Sequence, residues 1–201
     1  MLVVNDVFGR SPFYEDLSRR LAVAGFMAAE PEFFFREGPL PDQTREAAFE
    51  RRARHDPARA VADLDVALDW LRAESGVAGR LGTIGFCMGG TYVLQLAARR
   101  EDLASVCFYG FPGNVAPDEV DRIQGPLLGF WGDQDAGVGM DNVEALRKNL
   151  VARVVDHHFT VYSGLGHGFM KASGLEPAGD GYEQACEAWT RTLQFYRRHL
   201  G

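Results

Sequence analysis

The residues best suited to chemistry are Cys87, Asp133, Asp135 and His167, each set among glycines or beside a short apolar run. Gly85-Phe86-Cys87-Met88-Gly89-Gly90 places a thiol between small residues two positions before and two after it. An apolar run, Gly82–Phe86, precedes it, and a helical stretch, Gly89–Arg100, follows. A nucleophile at such a junction stands on a sharp strand-to-helix turn, which side chains at the flanking positions would obstruct. The helix N-terminus beneath it brings free N–H groups and a positive dipole end, which favour a thiolate and a developing oxyanion.

A nucleophile of this kind needs a base, and the base needs an orienting acid. Trp131-Gly132-Asp133-Gln134-Asp135 follows the apolar run Leu127–Trp131, and Ser163-Gly164-Leu165-Gly166-His167-Gly168 follows His158–Tyr162. The glycines around His167 leave its backbone free to aim the ring at a neighbouring loop. Asp135 is the favoured acid, and Asp133 then serves the turn. His55, His157, His158 and His199 lack such a setting and read as surface or strand-end residues.

These groups need a scaffold that brings distant loops together. Leu2–Val4 reads as a strand, and Tyr14, Leu17, Leu21 and Ala24 mark one face of a helix that Gly25 ends. Phe26–Ala29 reads as a strand closed by Glu30-Pro31, and an irregular charged stretch broken by Gly38-Pro39-Leu40-Pro41 runs to about Asp56. Val61, Leu64, Leu68 and Leu71 mark a further helix. Ser105–Tyr109 and Leu127–Trp131 read as interior strands, Asn142–Leu150 as a helix and His158–Tyr162 as a strand. Tyr182, Ala185, Cys186, Trp189, Leu193, Tyr196 and Leu200 form the buried stripe of a C-terminal helix. Strands alternating with helices predict right-handed βαβ units and a mostly parallel central sheet with helices on both faces. With 201 residues, no internal repeat and no linker, residues 1–201 read as one α/β domain.

Composition narrows the function. A net charge of −7, from 21 basic and 28 acidic residues, argues against nucleic-acid binding through phosphate contacts. No apolar run approaches the ~20 residues of a membrane span, and the N-terminus lacks the basic and apolar regions of a secretory signal. Three widely spaced cysteines suit reduced thiols in a cytoplasmic protein. No paired-cysteine or HExxH pattern is present, so no metal is expected, and a triad needs no cofactor. A monomer is expected, with an oligomer left open.

The chain resembles the dienelactone hydrolase family of the α/β-hydrolase superfamily, whose chain order is nucleophile, acid, histidine. The resemblance runs through Val4-Asn5-Asp6-Val7-Phe8-Gly9, Ala24-Gly25-Phe26 with Pro31, Gly85–Gly90, Trp131–Asp135 and Gly166-His167-Gly168-Phe169. It implies an α/β-hydrolase fold and a Cys87–Asp135–His167 triad, with the Met88 and Val7 N–H groups as the oxyanion hole. It further implies that Arg45 and Lys171 hold a substrate carboxylate and that Phe49 supplies apolar wall. The family usually has a glutamate at the position of Asp6, an arginine at Lys171 and often a tyrosine at Phe49. Asp6 reaches about 1.5 Å less than glutamate, and Lys171 keeps the charge without the bidentate fork.

The family's extra N-terminal strands are absent from the chain, so the edge of the Leu2–Val4 strand is expected to be exposed and apolar. The implied reaction is hydrolysis of an ester or lactone in a small carboxylate-bearing molecule, with dienelactone opened to maleylacetate. Three alternatives stay open: a general carboxylesterase or thioesterase of the same fold, a redox-responsive relative, and a non-catalytic binding module.

Overall fold

Runs too short for stable helices and rich in Val, Ile, Leu and Phe form five parallel strands, with amphipathic stretches between them. The computed structural model describes residues 1–174 and 180–201. In chain order they form β1 (Leu2–Val4), α1 (Pro12–Val23), α2 (Arg45–Ala53), α3 (Pro57–Ala73), β2 (Leu81–Phe86), α4 (Met88–Arg99) and β3 (Leu103–Phe108). There follow α5 (Pro117–Val120), β4 (Leu127–Gly132), α6 (Met140–Ala152), β5 (His157–Tyr162) and α7 (Tyr182–Leu200). Short 3₁₀ turns lie at Pro112–Asn114 and Phe169–Gly174.

The sheet order is β1-β2-β3-β4-β5, parallel throughout. Every residue of β2, β3 and β4 is buried, as expected for parallel strands covered on both faces. The two faces show in β1: Val3 joins the core that α1 and α7 complete, whereas Leu2 and Val4 join the core under α3 and α4. The Tyr196 hydroxyl donates to the Thr83 carbonyl at 2.7 Å, fixing α7 across β2. Asp6 and Val7, Cys87, Asp135 and His167 follow β1, β2, β4 and β5, at the carboxyl edge where open α/β sheets bind ligands.

Three sequence expectations change. Phe26–Ala29 is not a strand; it touches the sheet only through a bridge between Ala29 and Leu2. The Phe26 N–H is spent on the Leu21 carbonyl at 3.0 Å, closing α1, and Pro31 then takes the chain away. That one bridge nevertheless covers the β1 edge. Val3 donates to the Ala29 carbonyl and Ala29 to the Met1 carbonyl, both at 2.8 Å, so Leu2, Val3 and Val4 are fully buried rather than exposed. The stretch read as irregular up to Asp56 contains α2, started by the Thr44 side chain accepting from the Ala47 N–H. Its three arginines masked the helical period, because only Ala47, Ala48 and Arg51 face inward.

Candidate active site

The junction after β2 forms the expected turn. Cys87 has φ of +55°, a left-handed conformation that a non-glycine residue adopts only when its surroundings enforce it. The enforcement is visible: the Cys87 N–H donates to the Phe108 carbonyl at 3.0 Å, and its own carbonyl accepts from Thr91 at 3.2 Å. The flanking glycines are required by close approach. A Cβ on Gly85 would strike the Gly89 backbone, and one on Gly89 would strike the Val4 and Asn5 carbonyls.

The thiol differs from the sequence expectation. Burial pushes the Cys87 pKa up to about 11, outweighing the Met88 N–H that hydrogen-bonds the sulfur and lowers it. Asp6 raises it further, and Arg52 and Lys171 pull it down. The resting group is therefore a neutral thiol; the helix N-terminus does not make it a thiolate unaided.

Asp135 and His167 are brought together. The buried Asp135 carboxylate takes the His167 Nδ1–H through Oδ2 at 2.6 Å, while its Oδ1 accepts from the Val138 N–H at 3.3 Å. Asp133 does something else: its Oδ1 accepts from the Gly164 N–H at 2.8 Å and ties the β4 loop to the β5 loop. The imidazole packs edge-on to Tyr109, ring centroids 5.0 Å apart, and against Phe111 at 5.4 Å. Tyr109 also has a positive φ, of +40°, so its ring is held by backbone constraint as well as by packing.

Val7 and Met88 meet Cys87 in one cavity of about 1070 Å³. The Val7 N–H has no protein acceptor among the described residues, while the Val7 carbonyl accepts from the buried Arg51 at 3.0 Å. Arg51 also lies over the Phe34 ring, so a buried guanidinium steadies the loop after β1. Asp6 Oδ1 accepts from the Phe8 N–H at 2.9 Å, and Oδ2 lies 2.8 Å from Lys171 Nζ. Arg45 and Phe49 line the same cavity from α2, but the structure adds Arg52 beside them. Phe49 is flanked by both guanidinium groups, at 5.3 and 5.6 Å from its centroid.

Sequence reasoning missed Arg52, His55, Tyr92 and Gln95, all on the cavity wall. His55 is not a surface residue: only 3% of its side chain is exposed, and Nδ1 lies 3.1 Å from Glu37 Oε1. The available signal was the seven-residue step from Arg45 to Arg52, two turns of one helix face.

A parallel sheet with a strained nucleophile turn after one central strand, an acid after a later strand and a histidine on the next loop defines an α/β-hydrolase. The profile of the dienelactone hydrolase family matches residues 1–200, and the chain belongs to that family. It is 29% identical to a carboxymethylenebutenolidase of Rhodococcus opacus over 209 residues, covering all of this chain and 81% of the other. The crystal structure of the "Putative Dienelactone Hydrolase" of Klebsiella pneumoniae superposes with a TM-score of 0.85 at 30% identity, covering 98% of this chain and 85% of that one. Family and fold together make the protein a hydrolase directed at esters or lactones. No helix among the described residues is long and apolar enough to cross a membrane.

Proposed function

We propose that the protein hydrolyses the ester or lactone bond of a small carboxylate-bearing substrate through Cys87, His167 and Asp135, and that a dienelactone, opened to maleylacetate, is the substrate its family implies. The observation that carries this reading is the 2.6 Å contact of His167 with Asp135 in the cavity that also holds Cys87 on its strained turn.

With the thiol pKa at about 11, Cys87 waits in its neutral form. His167, its Nδ1–H fixed on Asp135, has Nε2 free to take the thiol proton as the sulfur attacks the carbonyl. The Met88 and Val7 N–H groups receive the oxyanion; one such donor is worth ~2.7–4 kcal/mol in comparable sites. The imidazolium then protonates the departing enolate or alkoxide, and neutral His167 activates water to release the acyl group. Thiolates expel amines poorly, so an enol lactone, with its stabilised leaving group, suits this site better than an amide does. Lys171, paired with Asp6, and Arg45 face the same cavity as cations for the substrate carboxylate.

Substituting Cys87→Ala and assaying a panel of activated esters tests the reading: turnover should vanish against background, and unchanged turnover removes the catalytic proposal. The general-esterase alternative draws on the same Asp6–Lys171 contact, because a lysine already paired offers less charge to a substrate anion. Comparing a dienelactone with its carboxyl-free analogue separates the two.

A further inference from the structure

The cavity continues past the thiol into a second, polar end that the proposed chemistry does not use. Its volume, about 1070 Å³, lies at the top of the ~300–1,000 Å³ range of sites for drug-sized ligands and far exceeds the needs of a small lactone. The wall there is built by Arg52 of α2, His55 of the turn after it, and Tyr92 and Gln95 of α4.

This end is rich in hydrogen-bonding groups with nothing to bond. The Tyr92 hydroxyl and Gln95 Oε1 are buried and have no partner among the described residues, although Tyr92 is only 3% exposed. Such groups cost free energy when buried unpaired, so a site that keeps them is shaped for a ligand that supplies the partner. Gln95 can present its amide N–H as readily as its oxygen.

Charge sets the kind of partner. The cavity's two catalytic-end carboxylates are already engaged, Asp6 by Lys171 and Asp135 by His167. Glu37, which acts electrostatically on Tyr92, lies against His55. Asp56 is occupied by the Ala58 and Arg59 N–H groups that start α3. Arg52 pairs with no carboxylate among the described residues; its guanidinium rests on the Phe49 face and acts electrostatically on both Tyr92 and Cys87. An unpaired guanidinium beside a buried hydroxyl donor selects an anionic acceptor group.

We propose that Arg52, Tyr92 and Gln95 form a second anion subsite, apart from Lys171, so that the preferred substrates are esters or lactones whose acyl part ends in a carboxylate that reaches it. This rests on the hydrolase reading for its turnover assay, though not for binding.

The test uses the 201-residue chain and two matched series: mono-4-nitrophenyl esters of linear dicarboxylic acids, and 4-nitrophenyl alkanoates of equal length. The wild type should prefer the half-esters, with an optimum at one chain length. In Arg52→Gln and Tyr92→Phe the ratio of kcat/KM for half-ester over alkanoate should fall about ten-fold or more, as expected for a lost charge-assisted hydrogen bond. A ratio that stays constant, because the two series fall in parallel or not at all, overturns the subsite. If no ester is turned over, the hydrolase reading fails by itself, and calorimetric titration of the half-esters into the Cys87→Ala protein still decides the subsite. Binding that Arg52→Gln weakens about ten-fold supports it, and equal or absent binding overturns it.

Discussion

Lys171 Nζ lies 2.8 Å from Asp6 Oδ2, joining the segment after β5 to the loop after β1 in the wall of the cavity. The carboxylate is buried and the ammonium about half exposed, so the pair is fixed at its acidic end and open at its basic end. The two residues act on Cys87 with opposite sign, Asp6 raising the thiol pKa and Lys171 lowering it.

The first prediction follows from that opposition. Asp6→Asn should make Cys87 alkylate faster with iodoacetamide at pH 8.5, and Lys171→Met should make it alkylate slower. Lys171→Met should also reduce stability by about 1–3 kcal/mol, since a buried acceptor loses its partner. Alkylation rates that move together, or not at all, would show that the pair is not coupled to the thiol.

The two aspartates after β4 should separate cleanly. Asp135→Asn keeps the side-chain shape but offers His167 an amide, so kcat should fall by about 10³–10⁴-fold. Asp133→Asn removes the charge of an exposed carboxylate that accepts from the Gly164 and Gln134 N–H groups, and keeps one oxygen to accept. Its kcat should stay within about two-fold of the wild type, because exposed substitutions away from the reacting groups have small effects. Steady-state kinetics with an activated ester reads both.

Much of this arrangement was legible in the sequence because it is local. A glycine two residues either side of Cys87 reports a steric demand that only a strand-to-helix turn makes, and the backbone contacts at Gly85 and Gly89 are that demand. The Asp135–His167 pairing followed from chain order. What could not be read was context. The thiol's environment depends on burial by distant segments, so a helix N-terminus that favours a thiolate in isolation is outweighed. The Phe26–Ala29 stretch has strand-like residues, but its first N–H is spent closing α1. His55 resembled a surface residue because its neighbours Arg54 and Asp56 are polar, whereas its burial is created by Phe33, Phe34 and Tyr92.

A stability gain is available far from the cavity. Val154 follows the end of α6 with φ of +59°, and the Val155 N–H reaches back to the Leu150 carbonyl at 3.0 Å, the hydrogen bond of a helix-closing left-handed turn. The valine side chain is 90% exposed, so it contributes little packing while its branched Cβ strains the backbone. Val154→Gly should therefore stabilise the protein by about 1 kcal/mol, seen as a rise in Tm of roughly 2–4 °C in thermal denaturation. A lower Tm would mean that the left-handed turn is not strained.

The raised thiol pKa carries its own pH signature. Cys87 titrates at about 11 in the folded protein against an ordinary value of 9.0, so the folded state binds the proton more tightly than the unfolded state does. Its contribution to stability is complete below pH 9 and is lost as pH rises from 9 to 11. The fully buried Cys107, pushed up to about 12, adds a second loss extending to higher pH. Chemical denaturation at pH 8, 9, 10 and 11 should show the unfolding free energy falling across that interval in the wild type, and falling less in Cys87→Ala. The remaining slope belongs to Cys107 and to other groups, among them buried tyrosines such as Tyr14 and Tyr109, whose pKa values burial also raises. Equal slopes in the two proteins would mean that the Cys87 thiol is hydrated and titrates normally, and the account of a neutral resting nucleophile would fall with it.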